Sequence, residues 1–213
     1  MQKLLTFFLL TLVGFSACKS AKIRKQTADE LAVGLQQGVL LVRLQTAERK
    51  AGTLRELGRE DEAREVLAEQ QAFNQRVREA FERNYDFSPV YFFYAPDSRQ
   101  IREKRFYNIL QDSREQPVDV DRVAGKPFLV AEFSEVQSPA ANAGLDALLV
   151  MDEQLEPLSM PFPFAVPTHL YPEEDMHERA VARLNLKLRE FYTKAVYREQ
   201  KRELRRMRRN LGN

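Results

Sequence analysis

Few side chains in this sequence could carry chemistry. Cys18 is the only thiol, and His169 and His177 are the only imidazoles. Between the histidines lie Glu173, Glu174 and Asp175, so five possible metal ligands fall within nine residues. The spacing matches no established zinc pattern. Three acids at a helix start also complement the positive end of its dipole without any ion. The expectation is therefore no metal and no cofactor, with His169, His177, Glu173 and Asp175 as the residues to inspect. There is no Gly-x-Ser-x-Gly elbow, no Walker A loop and no Gly-x-Gly-x-x-Gly turn. A hydrolytic alternative would have to use Asp152 or Glu173 with His169 or His177 as acid and base.

A second concentration of one residue type is basic. The C-terminal stretch RELRRMRRNLGN carries Arg202, Arg205, Arg206, Arg208 and Arg209. Cations are favoured in the last turn of a helix, and a solvated helix end accounts for part of the cluster. The cluster exceeds one turn, and the alternative is an anionic partner: lipid headgroups, a cell-wall polymer or an acidic protein face. Over the whole chain 33 Lys and Arg meet 31 Asp and Glu, a net charge of +2 that does not suit a general nucleic-acid binder.

The elements that must position these groups follow from periodicity. Leu31, Leu35, Val39, Val42 and Thr46 recur at helical steps, as do Ala63, Val66, Gln70, Phe73, Val77 and Ala80. Gly58 between them suits a left-handed helix end, so residues 28–83 are expected to form an antiparallel helical hairpin. Gly34 and Gly38 suit close packing against a neighbouring element. After a turn at 84–89, Val90–Tyr94 has the aromatic and β-branched texture of a strand covered on both faces. Pro96-Asp97-Ser98 opens a helix to about Leu110, with Asp97 or Ser98 as its N-cap. Further strands are expected at Phe128–Val136, at Leu145–Met151 and at the edge in Leu155–Met160, where Pro157 removes a ladder donor. A helix from about Pro172 to Leu211 carries Val181, Leu184, Leu188, Phe191 and Ala195 on one face.

The expected fold class is therefore α+β, or α/β. A small three- to four-stranded sheet with flanking helices spans 84–175, and a long basic helix, 176–213, packs on the same domain. The size suits one domain of about 200 residues.

The start of the chain bears on location. In MQKLLTFFLLTLVGFSAC a lone Lys3 precedes an apolar run from Leu4 to Phe15, then small residues. That is the layout of a secretory signal over 1–17, and the run is short for a membrane-spanning helix. Phe15-Ser16-Ala17-Cys18 resembles the lipobox of bacterial lipoproteins, with Phe15 in the aliphatic place. In that family the Cys is acylated with diacylglycerol and becomes the new N-terminus. The resemblance implies lipidation of Cys18, a polar tether over 18–27 and anchorage to a bacterial membrane; Lys19 after the Cys implies the periplasmic face of the outer membrane. A single cysteine fits this use, since no internal disulfide can form.

Val90-Tyr91-Phe92-Phe93-Tyr94-Ala95-Pro96 resembles the lead-in to the thioredoxin active site. Asp97-Ser98-Arg99-Gln100-Ile101 stands where that family has its two cysteines. The resemblance implies a thioredoxin-like fold over 88–200 and no disulfide exchange, which needs a thiolate. The functional expectation is an envelope lipoprotein of non-enzymatic, interaction or structural type. Its partners are a membrane through the lipid anchor and an envelope protein, anionic lipid or cell-wall polymer, with no nucleic acid. The alternatives are the small hydrolase above and a redox-inactive thioredoxin-like binding module.

Overall fold

The structure is a computed structural model that describes residues 27–137 and 144–211. The expected signal segment 1–17, Cys18 and almost all of the 18–27 tether lie outside the described residues.

The middle of the molecule is built on Val39-Leu40-Leu41-Val42. All four side chains are fully buried, as expected of a parallel strand covered on both faces. This strand, β1 (Val39–Leu44), pairs in parallel with β2 (Val90–Tyr94) on one side and β3 (Phe128–Gln137) on the other. A hairpin partner, β4 (Gly144–Met151), is antiparallel to β3, and β5 (Ala165–Pro167) closes the sheet in the order β2-β1-β3-β4-β5. The protein is thus a mixed α and β fold with a five-stranded sheet and a long C-terminal helix. β1 lies upstream of the stretch that resembles thioredoxin, and Val90–Tyr94 sits at the sheet edge.

The helices are α1 (residues 27–37), α2 (Glu48–Glu56), α3 (Glu60–Asn84), α4 (Ser98–Arg102) and α5 (Met176–Leu211). One face of the sheet, carrying Leu40, Val42, Leu129 and Ala131, packs on α1 (Ala32, Leu35), α3 (Val77, Ala80, Phe81) and α5 (Val181, Leu184, Leu188). The other face, carrying Val39, Leu41, Phe128 and Val130, is covered by Ile101 of α4 and by Phe106, Leu110 and Val123. The crossover from β1 to β2 therefore runs over one face, and the crossover from β2 to β3 runs back over the other. Right-handed connections in opposite directions require this.

Several expectations need correction. The helical hairpin over 28–83 is interrupted by β1, and helix α1 stops at residue 37. A Cβ on Gly38 would lie 1.9 Å from the Pro127 carbonyl oxygen, so backbone meets backbone there and the chain turns into the sheet. The apolar steps from Val39 to Val42 came from a strand buried on both faces, which mimics a helical stripe. The hairpin persists at shorter bounds as α2 and α3, with Gly58 at φ +72° between them. The sheet consequently has five strands rather than three or four.

The helix expected over 98–110 ends at Arg102. Lys104 and Asn108 take φ of 55° and 57°, which no helix continues through. Asp97 makes no capping bond; the Ser98 hydroxyl instead donates to the Ala95 carbonyl at 2.6 Å. Leu155–Met160 is not the edge strand. Leu155 has φ 66°, and only an isolated bridge from Met151 to Pro157 forms there, so Ala165–Pro167 takes the edge. The long helix is as expected, with Val181, Leu184, Leu188 and Ala195 buried and Phe191 half-buried.

Candidate functional site

The carboxyl end of β1 lies beside the middle of β3, where Val42 pairs with Ala131, and a crevice opens just beyond it at Gln45 and Thr46. In open sheets that crevice is the usual place for a ligand. Two charges sit there, Arg43 in the apolar run of β1 and Glu132 after the apolar start of β3. Arg43 Nη1 lies 3.2 Å from Glu132 Oε2. The Gln45 amide donates to the other oxygen, Oε1. The Glu132 side chain is only 6% exposed, whereas Arg43 is 26% exposed and reaches towards water.

From this pair a polar network runs outward along α3. Asn74 Nδ2 donates to the Gln45 carbonyl at 3.0 Å, and Gln70 Nε2 donates to Asn74 Oδ1 at 3.1 Å. Gln45, Thr46, Gln70, Asn74, Tyr94 and Glu115 line an open cleft of about 420 Å³. Nearby, Arg78 of α3 is completely buried. Its guanidinium lies over the Phe92 ring at 4.8 Å and donates to the Asp112 carbonyl at 2.8 Å and to Gln111 Oε1 at 2.6 Å. Its Nε stands 3.6 Å from Glu115. Gln111 also exchanges backbone bonds with Phe92 of the edge strand, at 2.8 and 2.9 Å. Arg78 thus fastens the cover of the sheet edge to α3.

Chemically the strand-end cluster is committed inward. Both Glu132 oxygens accept hydrogen bonds, Oε2 from the Arg43 guanidinium and Oε1 from the Gln45 amide, which fixes the carboxylate in the interior. Burying a charge is costly unless it is paired and hydrogen-bonded, and each of these partners meets that need. The arrangement positions strands and loops; it presents no nucleophile.

The residues singled out from sequence are distributed differently. His177 is buried, its ring edge-on to Phe73 and tilted against Phe133, each centroid at 4.9 Å. Its Nε2 is buried without a hydrogen-bond partner. Burial, and secondarily the Arg76 charge, hold its pKa below the ordinary imidazole range. His169, Glu173 and Glu174 are exposed, and Asp175 pairs with Arg179 at 2.6 Å. Asp152 accepts from the backbone amides of Gln154 and Glu156 at 2.9 and 3.0 Å, the use of an aspartate in a turn. Among the described residues, no group of three or more His, Cys, Asp or Glu side chains gathers as metal ligands would.

The basic end of α5 divides in two. Asp29 of α1 is 2% exposed. Arg198 grips it through Nε at 3.1 Å to each oxygen and through Nη2 to Oδ1. Arg202 approaches Oδ2 at 3.5 Å. Arg202, expected to face an anionic partner, therefore already has an anion within the fold. Arg205, Arg206, Arg208 and Arg209 are exposed, and among the described residues the ion pairs of this part of α5 are those of Arg198 and Arg202.

Asp29, Arg43, Arg78 and Glu132 escaped the reading of the sequence, although a signal existed for three of them. Arg43 interrupts VLLVRL, Glu132 interrupts FLVAEF, and Arg78 sits between Val77 and Ala80 on an apolar helix face. A lone charge in an apolar run implies a buried partner. Asp29 carried no such mark. Among the described residues no helix is long and apolar enough to cross a membrane. Comparison of the chain with protein-family profiles, with curated proteins and with solved structures finds no match in any of the three.

Proposed function

We propose that this protein is a cell-envelope lipoprotein, held to a bacterial membrane through acylated Cys18, that works by contact and not by catalysis. The observation that carries the reading is the clamp on Asp29. Asp29 stands at the start of α1, just beyond the tether, and Arg198 and Arg202 bind it to the basic half of α5. Residues 18–26 can span no more than about 30 Å when fully extended. An anchor at Cys18 therefore keeps the exposed arginines of α5 close to the membrane that holds it. The inward-facing state of Glu132 and the burial of His177, one of the residues the hydrolytic alternative would use, support the non-enzymatic half of the reading. The periplasmic face of the outer membrane is the favoured location, on the strength of Lys19.

Intact-mass measurement of the protein extracted from bacterial membranes tests the anchor. The expected product begins at Cys18 and carries the mass of its acyl chains, and Cys18→Ser abolishes that product. A mature chain with a free thiol, or one that retains residues 1–17, would overturn the proposal.

A further inference from the structure

The last turns of α5 carry a second feature besides charge. Tyr197, Leu204 and Met207 are 64%, 59% and 57% exposed. At 3.6 residues per turn, positions i, i+7 and i+10 fall on one face. This stripe points away from α1, because Arg198 and Arg202, which hold Asp29, lie on the other side of the helix. Lys201, Arg205 and Arg208 are exposed along one border of it, and Gln200 and Glu203 along the other. Between 197 and 211 there are seven basic residues and two acidic ones.

We propose that α5 from Tyr197 onward lies flat on an anionic lipid surface, with Tyr197, Leu204 and Met207 entering the acyl boundary and the bordering cations on the headgroups. The proposal rests on the anchored reading above and names the partner of its basic surface. An exposed apolar stripe with a basic border is the pattern of a helix that rests in a membrane interface. Long cationic side chains can lie along the apolar boundary and keep their heads among phosphates. Charge decides between occupants. A second copy of the chain would bring the same excess of cations against itself, which disfavours that pairing, whereas an anionic bilayer complements it. Position agrees: in the anchored chain residues 18–26 lead into α1, and Asp29 of α1 is held to this part of α5.

The test uses the full chain reconstituted into vesicles, with a nitroxide on Leu204→Cys or, as control, on Glu199→Cys, an exposed position well round the helix from the stripe. Vesicles of phosphatidylcholine alone are compared with vesicles that also contain phosphatidylglycerol. With phosphatidylglycerol, the label at 204 is expected to gain several-fold in accessibility to dioxygen and to lose accessibility to a water-soluble nickel chelate. The label at 199 stays in water. A label at 204 equally open to the nickel chelate in both vesicle types overturns the proposal. So does a label shielded in detergent without lipid and broadened by a second spin, which would make the occupant another copy. Thiol labelling of the chain without an added cysteine reads the anchor separately. Uptake at Cys18 would remove the acyl reading and leave the α5 result to stand or fall alone.

Discussion

Arginine serves two purposes in this molecule. At the sheet, Arg43 and Arg78 are each matched to chosen acceptors: Glu132 for the first, and Gln111, Asp112 and Glu115 for the second. At the end of α5, Arg205, Arg206, Arg208 and Arg209 stand in water, with no ion pair to another described residue. The difference follows from solvent. A buried guanidinium without partners would cost several kcal/mol, so the fold must supply them. An exposed one costs almost nothing unpaired, so pairing does not explain why several of one sign gather in one place. The buried set belongs to architecture; in the exposed set Arg208 and Arg209 meet the negative end of the helix dipole, and Arg205 and Arg206 precede it.

The comparison breaks most readily at Arg78. Arg78→Ala removes a fully buried side chain from beneath Phe92 and leaves Gln111 Oε1 and the Asp112 carbonyl without their donor. Cavity and lost hydrogen bonds together predict destabilisation of about 3 kcal/mol, read as a lower urea midpoint at unchanged slope. Arg78→Lys recovers only part of this, because an ammonium cannot reach both acceptors in the plane of the fork. A midpoint that does not move would place Arg78 with the α5 arginines, and the division would lose its strongest member.

Next comes the Arg43–Glu132 pair. Glu132→Gln leaves a cation that is partly hydrated, at 26% exposure, so the expected loss is smaller, about 1–3 kcal/mol. Arg43→Met in the same background should return part of it, since an apolar pair asks for no counter-charge. Thermal or chemical unfolding of the two single variants and the double variant measures the coupling. A Glu132→Gln protein more stable than the parent would mean that the carboxylate is held against stability, as at a working site, and would reopen the crevice as a catalytic candidate.

Legibility divides along the same line. The strands Val90–Tyr94, Phe128–Gln137 and Gly144–Met151 and the helix Met176–Leu211 announce themselves through local texture, and the structure places them within a residue or a few. Val39–Leu44 does not, because a strand buried on both faces repeats apolar residues at steps that also fit a helix. Only the approach of Pro127 to Gly38, a contact across the sheet, decides between them. The Arg43–Glu132 pair is hidden for a related reason. Its members are 89 positions apart, and their meeting depends on β1 and β3 being neighbours. The arginines of α5 are legible because their signal is local, but Arg202 shows the limit: its partner, Asp29, comes from the far end of the described chain.

His177 sharpens the interior half of the comparison, as a buried ring whose Nε2 has no hydrogen-bond partner, whereas Arg43 and Arg78 leave only Nε buried without one and bond through their terminal nitrogens. Burial, then the Arg76 charge, depress its folded pKa. In the unfolded chain the imidazole titrates near its ordinary value of about 6.5. Between those two values the unfolded chain binds a proton that the folded chain refuses. Its contribution to stability is therefore complete above about pH 6.5, falls as pH drops through that window, and changes no further below the folded pKa. His177→Phe, which suits a site between Phe73 and Phe133, should flatten this part of the profile of melting temperature against pH. An unchanged slope would assign the pH dependence to the carboxylates.

The smallest effect on stability is expected where the effect on association is largest. Arg205, Arg206, Arg208 and Arg209, changed together to Gln, should alter unfolding free energy by no more than about 0.5 kcal/mol, because exposed side chains without ion pairs contribute little to the fold. Arg202 stays in place, since removing it would disturb Asp29 and confuse the two purposes. In cells, the same variant should be crosslinked to fewer envelope components than the parent and should leave washed membranes at lower salt. Full stability with lost association would confirm the division between arginines that build the protein and arginines that it offers to a surface. Lost stability would mean that the helix end is part of the architecture, held by contacts that its exposure does not suggest. Unchanged association in an equally stable variant would move the contact surface to the hairpin of α2 and α3, the other helical pair joined by a tight turn and rich in exposed charge.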